Sequence, residues 1–349
     1  MRIAQVAPLH ESVPPRLYGG TERVVHYLTE ELVKMGHEVT LFAAGDSRTS
    51  ARLVPCCERS LRLDARIKDP LAPHVYMLEQ VIKQAEKFDI IHFHIDYIHF
   101  PLMRRLKTPH VTTLHGRLDL PELRPLYEEF KEMPVVSISD AQRNPLPFVN
   151  WVGTVYHGLP RDLYRFYAKP GDYLAFLGRI SPEKRPDRAI KIAERAGMKL
   201  LIAAKVDKAD REYFETVIKP LLKNPWVEFI GEINDKEKNE FLGRAYALLF
   251  PIDWPEPFGL VMIEAMACGT PVIAWRCGSV PEIIEEGVSG FMVESLQEAV
   301  EAVEKVANLK RILCRKAFER RFTSEIMAFN YLKVYERLLT TYEPLLKVA

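Results

Sequence analysis

Glu256 and Glu264 bracket the segment EPFGLVMIE, eight positions apart. An ionised carboxylate among Leu, Val, Met, Ile and Ala is costly to desolvate unless something pairs with it. Two glutamates at fixed spacing first suggest an acid and a base, but the residues around them argue for a different role. Pro255 and Pro257 bias the chain away from helix on either side of Glu256. Pro257 suits a first helical position, where its missing N–H is not needed. The N–H groups of Phe258, Gly259 and Leu260 are then expected at an open helix start, with Gly259 leaving room for a ligand. Glu264 lies two turns in and leans back toward the same end.

Other candidates stand after other strands. In GRISPEKRP, Arg179 and Lys184 are five apart on a turn, a spacing that aims two cations at one point and suits a diphosphate; the plainer alternative is a solvated charged loop. Gly19 and Gly20 precede a helix whose free N–H groups attract phosphate. No GxGxxG is present, and an ordinary flexible loop fits the pair equally well. Glu22 suits the positive end of that helix. His115 follows the strand VTTL, where it is placed to meet a ligand, although a lone histidine is more often structural. His92 and His94 alternate in HFHIDY and should share one strand face; metal binding is conceivable, but two histidines without a clear third ligand are poor evidence for it. Asp96 and Asp140 close their own strands, Asp140 with helix capping as its plainer reading.

The elements that must position these residues alternate regularly. Strands are expected at RIAQVAP, HEVTLFAAG, DIIHFHI, PHVTTLHG and PVVSIS, with a helix over TERVVHYLTEELVKMG, where Val24, Val25, Leu28, Leu32 and Met35 recur at helical spacing. The pattern restarts near residue 172 with strands at DYLAFLGRI, MKLLIAAKV, WVEFIGEI, YALLFPI, TPVIAWRCG and GFMVE, and helices at RPDRAIKIAERAG, REYFETVIKPLL and DKEKNEFLGRA. Strand–helix alternation implies parallel sheets covered on both faces. Two doubly wound α/β units in series are therefore expected, joined near 157–172, with ligands bound outside the carboxyl ends of the strands in a cleft between the units. From about Leu296 to Val348 the chain reads as almost wholly helical.

Composition narrows the function classes. With 349 residues, 48% hydrophobic and 27% charged, the chain reads as two globular domains. A net charge of +1 argues against a broad nucleic-acid footprint. The five cysteines show no CxxC spacing, which suggests reduced thiols. No run approaches the ~18 apolar residues of a membrane span, and MRIAQVAP begins like a strand rather than a signal peptide. The expectation is a cytoplasmic protein.

Taken together, EPFGLVMIE matches the E-x7-E motif of retaining glycosyltransferases of the GT-B fold, particularly glycosyltransferase family 4. GRISPEKRP resembles that family's GRL-x-x-EKG segment, YGGTERVVHYLTEELVKMGHEVTLFA its glycine loop and first helix, and TLHG and GSVPEIIEEGVSGFMV match in place and order. The resemblance covers about residues 1–330. Arg185 stands where many members have Gly, and YHGLP (156–160) where NG(I/V)D is usual, so no role is carried onto His157.

The resemblance implies a metal-independent hexosyltransferase of the nucleotide-sugar type, used in polysaccharide biosynthesis and related pathways. Its expected domains are 1–165 (acceptor side), 166–325 (donor side) and a helix over 326–349 crossing back to the first domain. Arg179 and Lys184 would neutralise the donor diphosphate, and Gly19–Gly20 would touch phosphates or sugar. Glu264 would take the ribose hydroxyls, Glu256 with the Phe258–Leu260 backbone the transferred sugar, and His115 that sugar near its reacting carbon. Asp96, His94, Arg117 and Asp140 would face an acceptor: a glycan, a lipid-linked sugar or a small molecule. Many relatives work on lipid-linked acceptors at the cytosolic membrane face, and the basic stretches 59–68 and 103–110 are the segments that would lean on anionic lipid, against the plainer reading of solvated helix faces. Two other readings share the architecture: a sugar-nucleotide 2-epimerase and a non-catalytic nucleotide-sugar-binding protein.

Overall fold

The computed structural model describes residues 1–16 and 19–347, with side chains through 341. Val348 and Ala349, which the expected tail helix included, lie outside the described residues. The chain divides into two compact units: unit 1 holds residues 1–160 and the chain from Ser324 onward, and unit 2 holds Arg161–Thr323. The divisions fall a few residues earlier than positions 165 and 325.

Unit 1 is built on seven parallel strands: β1 (Arg2–Val6), β2 (Glu38–Ala44), β3 (Arg52–Cys57), β4 (Ile90–Phe93), β5 (His110–Thr113), β6 (Val135–Ser137) and β7 (Trp151–Thr154). Their order is β3-β2-β1-β4-β5-β6-β7. Unit 2 has six, β8 (Tyr173–Arg179), β9 (Lys199–Lys205), β10 (Val227–Gly231), β11 (Ala247–Phe250), β12 (Val272–Trp275) and β13 (Gly290–Val293), in the order β10-β9-β8-β11-β12-β13. Central strands such as β4 and β11 are buried along their whole length, as helix cover on both faces requires. The strand order reverses between β1 and β4 in unit 1 and between β8 and β11 in unit 2. In open parallel sheets such a reversal opens a crevice at the carboxyl ends.

Two edge strands depart from the sequence reading. β3 contains Pro55, and β7 is a four-residue, half-buried WVGT; an edge tolerates both the missing donor and the weak pattern. A helix at Leu71–Ile82, with Pro73 in its first turn, was also absent from the expectation. The REYFETVIKPLL helix is broken into Arg211–Tyr213, a π turn at Phe214–Ile218 and Lys219–Leu221, with Pro220 unable to donate in the ladder. The tail is several helices: Leu296–Lys305, Arg311–Arg321 and Ser324–Lys347. The last of these packs on the Gly20–Lys34 helix. The N–H of Ser324, where the chain returns to unit 1, donates to the Leu159 carbonyl at 2.8 Å. Among the described residues no helix is long and apolar enough to cross a membrane.

Candidate functional site

In unit 2 the site is built where β8 and β11 end. β8 closes on Arg179, and the turn after it carries Lys184 and Arg185 into the helix Pro186–Ala196. Arg185 occupies the N-cap with φ 53°, the left-handed region that favours glycine. That accounts for the Gly common at this place in the motif. Here Arg185 is held instead by ion pairs, to Asp187 at 2.8 Å and to Asp253 at 2.8 Å. Arg188 adds a second contact to Asp253 at 3.1 Å. Asp253 follows β11, and its N–H donates to the Glu183 carbonyl at 2.8 Å, so the two strand-end loops are tied together.

Across those loops Lys184 donates through Nζ to Glu256 Oε2, and the ammonium lies 5.2 Å from the centre of the Trp254 ring. Glu256 is fixed from behind by the loop after β12. Its carbonyl accepts from Ser279 N at 3.0 Å, and a Cβ on Gly278 would come within 2.5 Å of the Glu256 backbone. Gly278 also has φ 55°, so glycine is required there twice over. Arg179 and Lys184 have separate carboxylate partners. The Arg179 guanidinium faces Asp210 at 3.5 Å, Glu183 at 3.8 Å and Asp207 at 4.0 Å.

The helix start differs from expectation in one respect. Pro257 is not the first helical residue; the helix is Leu260–Cys268, and Gly259 is its N-cap at φ 80°. A side chain at Gly259 would also crowd Met262 and Phe250, at 2.8 and 3.0 Å. Phe258 is buried outside the helix, and its carbonyl accepts from Ser279 Oγ at 2.8 Å. Glu264, 3% exposed, has the partners its burial demands: Tyr164 Oη donates at 3.2 Å and Lys238 Nζ lies at 3.2 Å. Buried arginines of the Arg311–Arg321 helix brace the segments around this helix, Arg315 reaching its own Ala267 carbonyl. Arg315 donates to the Tyr164, Ala267 and Arg161 carbonyls, and Arg311 to those of Tyr167, Ala245 and Gly243.

In unit 1, Gly19 is the N-cap of the Gly20–Lys34 helix, so Gly20 is already helical. Gly19 is extended rather than left-handed; glycine is needed for space, because a Cβ would meet Pro15 at 2.9 Å and the Glu22 carboxylate at 3.1 Å. Glu22 is buried, which pushes its carboxyl above the usual range, and it accepts from the Glu11 N–H at 3.3 Å. His115 is joined to His94 (Nε2 to Nδ1, 2.9 Å) and stacks on His157, ring centres 5.3 Å apart. Burial lowers the His115 pKa to about 3, and those of His92, His94 and His157 well below the ordinary value, so all four rings are neutral.

His94 corrects an acceptor-side expectation: at 3% exposure it is an interior residue behind His115, bonded to Gln5 at 2.7 Å. His92 and His94 do share a face, ring centres 4.0 Å apart. Asp96 is exposed at the end of β4 with φ 55°, a strained setting for a non-glycine residue. Arg117 makes a local pair with Asp119 at 2.7 Å, and Asp140 accepts from the Thr154 hydroxyl. Among the described residues no group of three or more His, Cys, Asp or Glu is placed to hold a metal. In the basic stretch 59–68, Arg62 pairs with Glu11 at 2.8 Å, and Arg59 and Arg66 share Asp64 at 3.6 and 2.7 Å.

Asp253, Gly278, Lys238 and Tyr164 were not singled out from the sequence. Asp253 stands directly after a strand, where ligand-site residues are sought, and Gly278 lies inside the quoted GSVPE segment. Lys238 and Tyr164 gave no local signal.

Residues 167–321 match the family described as "Glycosyl transferases group 1", and residues 18–182 match "Glycosyltransferase Family 4". The chain is a family 4 glycosyltransferase. Among its relatives is the Methanocaldococcus jannaschii protein named "Uncharacterized glycosyltransferase MJ1607", 26% identical over 344 residues that cover 84% of this chain and 85% of the relative. Two solved structures share the GT-B architecture. AviGT4, a glycosyltransferase involved in avilamycin A biosynthesis, superposes with a TM-score of 0.77 at 24% identity, covering 97% of this chain and 98% of its own. Anabaena Alr3699/HepE, crystallised with UDP and glucose, gives 0.71 at 18% identity, covering 96% and 99%. The transferase therefore has the GT-B fold, with two Rossmann-like units.

Proposed function

We propose that this glycosyltransferase is a retaining enzyme that moves a hexose from a nucleotide-diphosphate sugar to an acceptor hydroxyl. The observation that carries the reading is the Lys184–Glu256 pair at the strand-order reversal of unit 2. A cation and a carboxylate held together by their own side chains, on backbones fixed by Asp253 and Gly278, are preset for a ligand with both an anion and hydroxyls. Lys184 turns to the diphosphate, and Glu256 then accepts from hydroxyls of the transferred sugar. Arg179 adds positive charge at the phosphates. The N–H groups at the start of the Leu260–Cys268 helix, next to Gly259, hold the sugar or phosphate oxygens. Glu264 exchanges Lys238 for the ribose hydroxyls. In unit 1 the Gly19–Gly20 backbone touches phosphate or sugar, His115 meets the sugar near its reacting carbon, and Asp96, Arg117 and Asp140 face the acceptor.

Departure of the leaving group loads negative charge onto the diphosphate, so fixed cations stabilise the transition state more than the ground state. The acceptor oxygen bonds to the anomeric carbon as the carbon–phosphate-oxygen bond breaks on the same face, and the acceptor proton passes to the leaving phosphate. Neither glutamate needs to be a nucleophile, unlike the paired carboxylates of retaining glycosidases, and no divalent cation is required. The UDP and glucose held by the Anabaena neighbour support a nucleotide-sugar donor.

A thermal-shift panel of UDP, GDP, ADP and their sugars identifies the donor, because selective binding raises the midpoint. Donor-dependent nucleotide release then measures turnover. Lys184→Ala should lower it by about a thousandfold, the scale of one lost transition-state electrostatic contact. Full activity in Lys184→Ala refutes the diphosphate assignment, and isomerised donor formed without acceptor identifies an epimerase instead.

A further inference from the structure

His115 ends a buried hydrogen-bond chain that runs back to the tail helix. Gln5 on β1 bonds His94 through its amide oxygen (2.7 Å to Nε2) and Tyr335 through its amide nitrogen (3.2 Å to Oη). Tyr335 Oη lies 2.7 Å from His92 Nδ1, His92 Nε2 lies 2.7 Å from Thr113 Oγ1, and Thr113 Oγ1 lies 2.9 Å from Tyr331 Oη. His94 Nδ1 lies 2.9 Å from His115 Nε2. Gln5, His92, His94, Thr113, Tyr331 and Tyr335 are each at most 3% exposed.

The chain has a direction. An amide oxygen only accepts, so His94 must carry its hydrogen on Nε2. A neutral ring has one hydrogen, so His94 Nδ1 is bare and takes the bond that His115 Nε2–H donates. His115 then has no hydrogen on Nδ1, an atom that is buried and has no hydrogen-bond partner among the described residues. The other branch agrees. The Gln5 amide N–H donates to Tyr335 Oη, whose hydroxyl hydrogen goes to His92 Nδ1, so His92 donates from Nε2 to Thr113. Which nitrogen of a histidine is protonated is set by the bond its other nitrogen makes, and here every such bond is assigned by its neighbour.

We propose that His94, oriented by Gln5 and Tyr335, is a positioning residue that fixes His115 as the Nε2–H tautomer and leaves its Nδ1 lone pair to accept from a hydroxyl of the sugar. The last clause rests on the reading of His115 as a sugar contact; the tautomer does not. A neutral acceptor beside the reacting carbon suits a transition state in which that carbon gains positive charge, whereas an imidazolium would repel it.

The test is a long-range ¹H–¹⁵N correlation spectrum of the full chain labelled at histidine, at pH 7.5, with the His115 signals assigned by substitution. The expected result is His115 and His94 both as Nε2–H tautomers. A His115 protonated on Nδ1, or exchanging between forms, overturns the proposal, and this measurement needs no variant that must fold. His94→Phe removes the acceptor; His115 should then populate both tautomers, and kcat should fall about tenfold with the donor KM unchanged, a loss on the scale of a misoriented general contact. His94→Asn, which offers an oxygen in place of Nδ1, should restore both. An unaltered His115 tautomer in folded His94→Phe overturns the positioning role. A tautomer that follows His94 with a kcat that ignores it supports the positioning and overturns the sugar contact.

Discussion

Each unit carries a polar pair where its strand order reverses, and the two pairs are chemical opposites. In unit 2, Lys184 meets Glu256, both partly accessible, with side chains 21% and 12% exposed. In unit 1, Gln5 meets His94, both neutral and buried. All ten histidines of the chain lie in unit 1 and none in unit 2. The difference separates two tasks. An accessible ion pair can trade its partner for a charged ligand at small cost, since it was already wet. A buried neutral network cannot be opened without leaving a polar atom unpaired, so it holds geometry instead.

The largest test of that contrast removes the frame under the charged side. Arg311→Ala strands three buried carbonyls and should lower the unfolding free energy of unit 2 by about 3–5 kcal/mol in a denaturant titration, while the unit 1 transition stays in place. Next, Glu256→Gln keeps the shape and removes the charge that holds Lys184. Nucleotide release should fall about a hundredfold, or about 2.7 kcal/mol in activation free energy, with stability nearly unchanged.

Acid should act on the opposite side. His92, His94, His99 and His157 are kept neutral by burial, their folded pKa values well below the ordinary value of about 6.5. Above pH 6.5 neither the folded nor the unfolded chain protonates them, and stability is unaffected. Below it the unfolded chain binds protons that the folded chain refuses, so each costs up to about 1.4 kcal/mol per pH unit. Unit 1 should therefore melt first between pH 6.5 and 5, with unit 2 following only as its carboxylates titrate; coincident melting of the two at pH 5 contradicts this. The smallest effect is expected at Arg185. Arg185→Gly relieves the left-handed backbone but loses the Asp253 and Asp187 contacts, and these should cancel to within about 1 kcal/mol in thermal unfolding.

The order of strands and helices was legible because apolar runs and helical spacing are local signals. What escaped was either at an edge or long-range. β3 and β7 pair on one side only, so their residues carry a weaker pattern. The E-x7-E segment named Glu256, Glu264 and their neighbours, but the Lys184–Glu256 bond joins residues 72 apart and Lys238–Glu264 crosses two helices, which no periodicity encodes. The misplaced helix start has a local cause. Pro257 looked like a first residue, yet Gly259, two positions on, takes the left-handed cap that only glycine adopts freely. For the histidines, strand alternation revealed the shared face of His92 and His94, while their depth was invisible because Gln5 and Tyr335 come from the two ends of the chain.

That last fact bears on how the protein is made. Unit 2 is encoded in one continuous stretch and is finished as a chain when Thr323 has been added, while unit 1 still lacks the helix that begins at Ser324. Until Tyr331 and Tyr335 have left the ribosome, Gln5 and His92 lack the Tyr335 hydroxyl and Thr113 lacks that of Tyr331. The unit translated first is thus the unit completed last, and a nascent chain stalled short of residue 331 carries unit 2 fully formed while unit 1 is left open.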